Sequence, residues 1–121
     1  MFGPHVVIDS IIKEVPSEEK VRKFLEDIPD QISMTKITVP IINKFDRGIY
    51  GIVIIAESHI SILAQKYDEH ILFQVDIFSC KNFDREKAVE FTKKVFGCKK
   101  LVDRVIMRGT AFPREIPYED I

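Results

Sequence analysis

The 121-residue sequence has only two cysteines, three histidines, five glycines and no tryptophan. Two cysteines are too few for a disulfide framework or a four-cysteine zinc site, and the histidines lack a metal-ligand spacing. No glycine-rich phosphate-binding loop and no G-x-S-x-G motif occurs. These absences argue against a structural metal site, a phosphate-loop enzyme and a serine hydrolase, and the low cysteine content favours the reduced cytoplasm.

The sequence also lacks an excess of one charge and a long hydrophobic run. Lysine and arginine total 18 and aspartate and glutamate total 19, so a generally basic nucleic-acid binder is not expected. Apolar runs such as residues 52–56 are far shorter than the ~20 residues of a membrane helix. The N-terminal residues do not resemble a secretory signal. With 45% hydrophobic residues, we expect a single cytoplasmic domain, residues 1–121, without nucleic-acid or membrane partners.

Strand and helix patterns follow the order β-α-β-β-β-α-β. One helix is predicted to begin after Ser17 and to end at Pro29-Asp30, and a second to lie between Asp84 and Gly97. Strands are predicted at residues 4–12, 37–41, 49–56, 71–78 and 101–107. Residues 60–64 are expected to continue extended after a break at Glu57-Ser58-His59, and residues 65–69 to form a loop. This order predicts an α+β fold, a two-layer α/β sandwich with a mainly antiparallel sheet and both helices on one face.

Three reactive side chains, Glu57-Ser58-His59, interrupt the most apolar part of the sequence, and Cys80 follows a later strand. A structural interpretation is available, because polar residues form turns at strand ends and a lone cysteine often packs as a small apolar residue. Ser58 and His59 are adjacent, so on an extended strand their side chains point to opposite faces and form no serine-protease pair. The residue types alone leave a turn and a chemical site as alternatives.

The stretch from Gly51 to Cys80 resembles the S-adenosylmethionine decarboxylase proenzyme family in its short prokaryotic form. The family pattern G-V-V-x-x-x-E-S-H-[LI]-[ST]-I is matched by GIVIIAESHISI, and [VI]-D-x-[FY]-[TS]-C is matched by VDIFSC. Weaker matches at Gly3-Pro4-His5, Lys87-Ala88 and Arg108-Gly109 extend the resemblance over most of the chain.

The resemblance implies that the chain cleaves itself between Glu57 and Ser58, giving a β chain of residues 1–57 and an α chain of residues 58–121. The Ser58 hydroxyl attacks the preceding carbonyl, and elimination and hydrolysis then convert Ser58 into a pyruvoyl cofactor. That cofactor forms a Schiff base with the substrate amine and takes up electrons during decarboxylation. Cys80 corresponds to the family's proton donor. The implied product serves spermidine biosynthesis, and the implied assembly is a homodimer whose sites draw on both protomers.

The substrate-binding segment departs from the family pattern, because the chain is two residues longer between the serine and the cysteine. If these residues fall at 64–66, Tyr67-Asp68-Glu69 aligns with the family's W-P-E. Tyr67 then stacks on the substrate and Glu69 holds a ribose or an amine, whereas a later insertion removes the nucleoside pocket. Phe45 resembles a second adenine-stacking aromatic, with a core or turn role as the alternative.

Two positions that assist processing in the family also differ, with Leu63 in place of a histidine and Tyr50 in place of a serine. His59 or His70 is a candidate to replace the histidine. Three functions therefore stay open: decarboxylation of S-adenosylmethionine, decarboxylation of a basic amino acid such as arginine or ornithine, and a non-processing homologue acting as a regulatory or binding partner.

Overall fold

The computed structural model describes residues 3–111, which form one helical layer packed on one antiparallel sheet. The elements are β1 (Gly3–Ile12), α1 (Glu18–Gln31), β2 (Thr35–Lys36), β3 (Ile41–Phe45), β4 (Gly48–Ala56), β5 (Ser58–Tyr67), β6 (His70–Ser79), α2 (Arg85–Phe96) and β7 (Lys99–Arg108). The strand order is β2-β4-β5-β6-β1-β7, with β3 also paired to β4. The predicted two-layer α+β sandwich is confirmed. Neither helix in this range is long and apolar enough to cross a membrane.

Alternating residues of the strands face the helices and form the core. Ile60 and Ile62 of β5 and Val75 and Ile77 of β6 are all buried, as the two-residue period of a strand requires. Phe24 of α1 joins the two helices, because its ring contacts two phenylalanine rings of α2. The opposite side of the sheet carries no helix in the described range, and we call it the open face.

The helix ends follow local hydrogen bonding, with one exception. The Ser17 hydroxyl and the Asp84 carboxylate accept the backbone N–H groups of Lys20 and Lys87, each at 3.1 Å, and so cap α1 and α2. The predicted end of α1 at Pro29-Asp30 is one residue short, since the helix continues to Gln31. A proline removes only its own N–H bond and keeps a helical φ, so a last turn can contain it.

The strand predicted at 37–41 is also wrong, because β2 and β3 lie on either side of residues 37–40. Here a side chain replaces part of the ladder: the backbone N–H of Ile54 donates to Thr38 Oγ1 at 3.1 Å. Pro40 has no N–H to donate, which further interrupts pairing along this edge.

One connection differs from the sequence-based expectation. Residues 60–64 are extended after a break at the Glu57-Ser58-His59 tripeptide, as expected, and the chain reverses between Ala56 and Ser58 so that β4 and β5 form a hairpin. Residues 65–69 are not a loop, since β5 runs to Tyr67 and only Asp68–Glu69 make the next turn. The reversal places Glu57 at a hairpin tip at one end of the sheet.

Candidate active site

One end of the sheet brings together residues from four separate parts of the chain. Ser58 at the start of β5 lies opposite Ser79 at the end of β6. Cys80 follows directly, and the first residues of β1 and the last of β7 continue this end of the sheet. The Glu57-Ser58-His59 tripeptide and Cys80 are therefore neighbours across two adjacent strands.

The Ser58 hydroxyl contacts the side chain of the next residue. Ser58 Oγ lies 3.3 Å from Nδ1 of His59, although adjacent residues of a regular strand point to opposite faces. Ser58 has a φ of 133°, which departs from strand geometry, is costly for a residue with a Cβ and is typical of functional sites. The expectation that Ser58 and His59 cannot touch is therefore wrong at this hairpin tip. A hydroxyl beside an imidazole is the arrangement that general-base activation requires.

Cys80 is 5% exposed, and the residues on either side of it are joined by a hydrogen bond. The Ser79 hydroxyl accepts the backbone N–H of Lys81 at 3.0 Å, which fixes the turn around the cysteine. Gly3 of β1 approaches so closely that a Cβ there would lie 2.1 Å from the Ser79 carbonyl oxygen, and its φ is +149°. In the sequence Gly3 belongs only to the weak match Gly3-Pro4-His5, and its close approach to β6 becomes visible in the fold.

A row of rings crosses the open face beside this site. The Phe78 ring of β6 lies 6.1 Å from the His59 ring on one side and 5.4 Å from the His5 ring on the other, measured between centroids. His5 Nε2 lies 3.2 Å from Asp76 Oδ1, so the Asp76 carboxylate has a partner on this face. The guanidinium carbon of Arg108 lies 5.0 Å from the Phe78 ring centroid. The alternation of β6 places Phe78 and Asp76 on one face, which is the signal that could have found Phe78.

The predicted substrate-binding residues lie at the other end of the sheet. Tyr67 is 61% exposed and stands nine residues along β5 from Ser58, a span of roughly 30 Å at ~3.3 Å per residue. Glu69 is exposed in the turn that follows, and Phe45 lies against Gly48 at the same end. Within one chain, these three side chains do not reach Ser58.

The pairing of β5 with β6 contains no bulge. Its register runs without a shift from Ser58↔Ser79 to Tyr67↔His70. His70 therefore lies far from Ser58, and of the two candidate replacement histidines it is His59 that contacts the hydroxyl. Tyr50 and Leu63 face one another across β4 and β5, away from the hairpin tip.

Comparison with known proteins finds similarity along nearly the whole chain. The family model described as S-adenosylmethionine decarboxylase matches residues 5–109. The S-adenosylmethionine decarboxylase proenzyme of Archaeoglobus fulgidus is 33% identical over 114 residues, covering 90% of this chain and 99% of that protein. The proenzyme of Clostridium botulinum strain Langeland is 34% identical over 112 residues, which cover 88% of this chain and 94% of that protein. The crystal structure of the adenosylmethionine decarboxylase from Aquifex aeolicus superposes with a TM-score of 0.74 at 26% identity. The superposition covers 96% of this chain and 98% of that protein.

Proposed function

The chain belongs to the S-adenosylmethionine decarboxylase family, and we propose that it makes its own pyruvoyl group from Ser58 and uses it to decarboxylate S-adenosylmethionine for polyamine biosynthesis. The observation that carries this proposal is the Ser58 hydroxyl, placed 3.3 Å from an imidazole nitrogen at a hairpin tip beside Cys80. The comparisons do not favour the two alternatives, a basic amino-acid decarboxylase and a non-processing partner protein. The free cysteines agree with action in the reducing cytoplasm.

Self-cleavage begins with the Ser58 hydroxyl and the carbonyl of Glu57. Nδ1 of His59 takes the hydroxyl proton while Oγ forms an ester bond to the Glu57 carbonyl carbon. The amide C–N bond breaks, and the proton passes to the released nitrogen of Ser58. Elimination then breaks the ester at Ser58 Oγ and releases the first fragment with a new α-carboxylate at Glu57. Hydrolysis with water removes the nitrogen of residue 58 as ammonia and leaves two carbonyls at that residue. His59 is the processing base in this proposal, because of the 3.3 Å contact.

The surroundings of Ser58 fit a pyruvoyl group at this position. Residue 58 is half-buried and starts a strand that is paired on both sides, so a new chain end there stays in place after cleavage. A pyruvoyl group supplies a carbonyl that accepts the electron pair of the breaking carbon–carboxylate bond. Cys80 lies just past the partner residue of Ser58, and we assign it the protonation of the substrate's α-carbon.

The proposed nucleoside-binding residues Phe45, Tyr67 and Glu69 require a second copy of the chain. They lie at the end of the sheet opposite Ser58, so one protomer alone cannot place them around a substrate bound there. The open face carries exposed apolar side chains, including Ile54 at 42% and Ile106 at 47% exposure. We propose a homodimer in which two open faces pack in opposite directions, so that each site takes its stacking residues from the partner.

Intact-mass spectrometry under denaturing conditions tests the self-cleavage. The wild-type chain should give fragments 1–57 and 58–121, the second lighter by one ammonia than a fragment with a free serine. Ser58→Ala should stay intact, and Ser61→Ala, which removes a nearby hydroxyl of the same strand, should split normally. Carbon dioxide release from S-adenosylmethionine, and none from arginine or ornithine, then tests the substrate. An intact wild-type chain after long incubation would overturn the proposal.

Complementation tests the shared site. Cys80→Ala and the double variant Phe45→Ala/Tyr67→Ala should each lose most activity as pure proteins. Mixed dimers regain activity only if the two sets of residues meet across an interface, because each mixed dimer then contains one intact site. A mixture as inactive as its components, together with monomers in size-exclusion chromatography, would contradict the shared site.

A further inference from the structure

We infer that Arg108 binds the α-carboxylate of the substrate and distinguishes substrate from decarboxylated product. This inference rests on the proposed function, since it concerns the ligand of the same site. It assigns a substrate contact to the last residue of β7, three strands away from Ser58 in the sheet.

The side chain of Arg108 reaches across the intervening strand toward the reacting position. Arg108 lies opposite Gly3 of β1, which has no side chain to occupy the open face at that point. The guanidinium carbon ends 5.0 Å from the centroid of Phe78, on β6. Phe78 pairs directly with His59, the residue after Ser58. A positive charge is thereby held over the strand adjacent to the one that begins with Ser58.

The guanidinium of Arg108 is available for a ligand. Within residues 3–111 no carboxylate pairs with it, whereas Arg22 pairs with Glu18 and Arg85 with Asp103. Its contact with Phe78 is a cation–π interaction with the face of the ring, and this interaction needs none of the five N–H donors. A planar guanidinium with free donors matches a carboxylate in two parallel hydrogen bonds.

The chemistry of the reaction brings a carboxylate to this place. An α-amino acid that bonds to residue 58 through its nitrogen carries its carboxylate on the next carbon, one bond further from the protein chain. That group leaves as carbon dioxide, so the product lacks the anion. A contact with Arg108 therefore strengthens binding of the substrate and contributes nothing to binding of the product, which favours exchange of one for the other after each turnover.

Steady-state kinetics of Arg108→Gln tests the contact on the self-cleaved protein. We expect KM for S-adenosylmethionine to rise about tenfold, the lower end of the range for hydrogen bonds to a charged group because the side chain is exposed. The inhibition constant of decarboxylated S-adenosylmethionine should stay within about twofold, well below that tenfold difference. Arg104→Gln is the matched control, because it removes the same charge from the same strand and face, four residues earlier, and it should change neither constant.

Each result separates the contact from the proposed function. Processing involves no substrate, so Arg108→Gln should split at the wild-type rate. Normal splitting with an unchanged KM, or an equal rise in both constants, overturns the carboxylate contact alone. Arg108→Met, which keeps a long unbranched side chain against Phe78, gives the same comparison if Arg108→Gln yields too little folded protein. A wild-type chain that does not split overturns the proposed function, and the contact with it.

Discussion

The two segments on either side of the Glu57–Ser58 bond are interleaved in the sheet, and this arrangement predicts how a protein split at that bond unfolds. β1 belongs to the first segment but lies between β6 and β7 of the second, and β4 pairs with β5 across the cut. Each of these three pairings contains eight residue pairs. Two segments joined in this way should stay together under native conditions and separate only on unfolding.

Unfolding of the split protein releases two chains where the intact chain releases one. Its midpoint temperature must therefore fall on dilution. A tenfold dilution changes the free energy of such a dissociation by ~1.4 kcal/mol. At roughly 2.1 cal/mol/K of unfolding entropy per residue, a 121-residue chain gives a shift of about 5 °C per tenfold dilution. The proposed dimerisation would add the same concentration dependence to both forms, so the difference between them stays at about 5 °C.

Thermal unfolding followed by circular dichroism measures this difference, with fully split wild-type protein compared against Ser58→Ala over a hundredfold range of concentration. Two heating rates establish that the transition is at equilibrium. The wild-type midpoint should fall more steeply with dilution than that of the variant. Equal slopes for the two proteins, or fragments that elute separately in native size-exclusion chromatography, would refute the interleaved arrangement.

Three further changes test the site and its surroundings. His59→Phe keeps a ring against its neighbours but loses the base near Ser58, so fragment formation followed by mass spectrometry should slow ~10²–10⁴-fold, and normal splitting would contradict the base role. Gly3→Ala forces a Cβ against the Ser79 carbonyl at positive φ and should lower the free energy of unfolding in urea by about 1–3 kcal/mol; an unchanged midpoint would contradict the close approach. Burial raises the pKa of the Cys98 thiol, so this thiol loses its proton at a lower pH in the unfolded chain than in the folded protein. As pH rises into the alkaline range, the free energy of unfolding should therefore fall. Cys98 should also be alkylated more slowly in the folded protein than in the chain unfolded by urea.

The helices and most strands were predictable because their signals are local. The cap residues Ser17 and Asp84 bond to backbone groups three positions away, and Gly97 takes the left-handed conformation that its place after a helix requires. The hairpin between β4 and β5 was not predictable in the same way. Its tip, Ala56-Glu57, contains neither asparagine nor glycine, and the apolar β-branched residues on both sides fit one long strand as well as two.

The site could be predicted only where its residues lie within one motif. Ser58, His59 and Cys80 stand in the two long strings that carry the family resemblance, whereas Gly3 and Arg108 stand in weak matches at opposite ends of the described chain. They meet because β1 is inserted between β6 and β7, and a pairing of such high sequence separation leaves no periodic signal. The same limit applies to Phe45 and Tyr67, since distance from Ser58 is a property of the register and not of the residue type.

The contact that would start the proposed self-cleavage depends on the folded sheet. Ser58 reaches His59 because the chain reverses at Glu57, and that reversal is maintained by the pairing of β4 with β5 on one side and of β5 with β6 on the other. In an unfolded chain a residue with φ near 133° is rare, so the hydroxyl and the imidazole seldom meet. Glu57 itself is exposed and contributes no core contact. The fold therefore places the bond where the proposed cleavage depends on native structure and leaves the pairing of β5 beyond residue 58 in place.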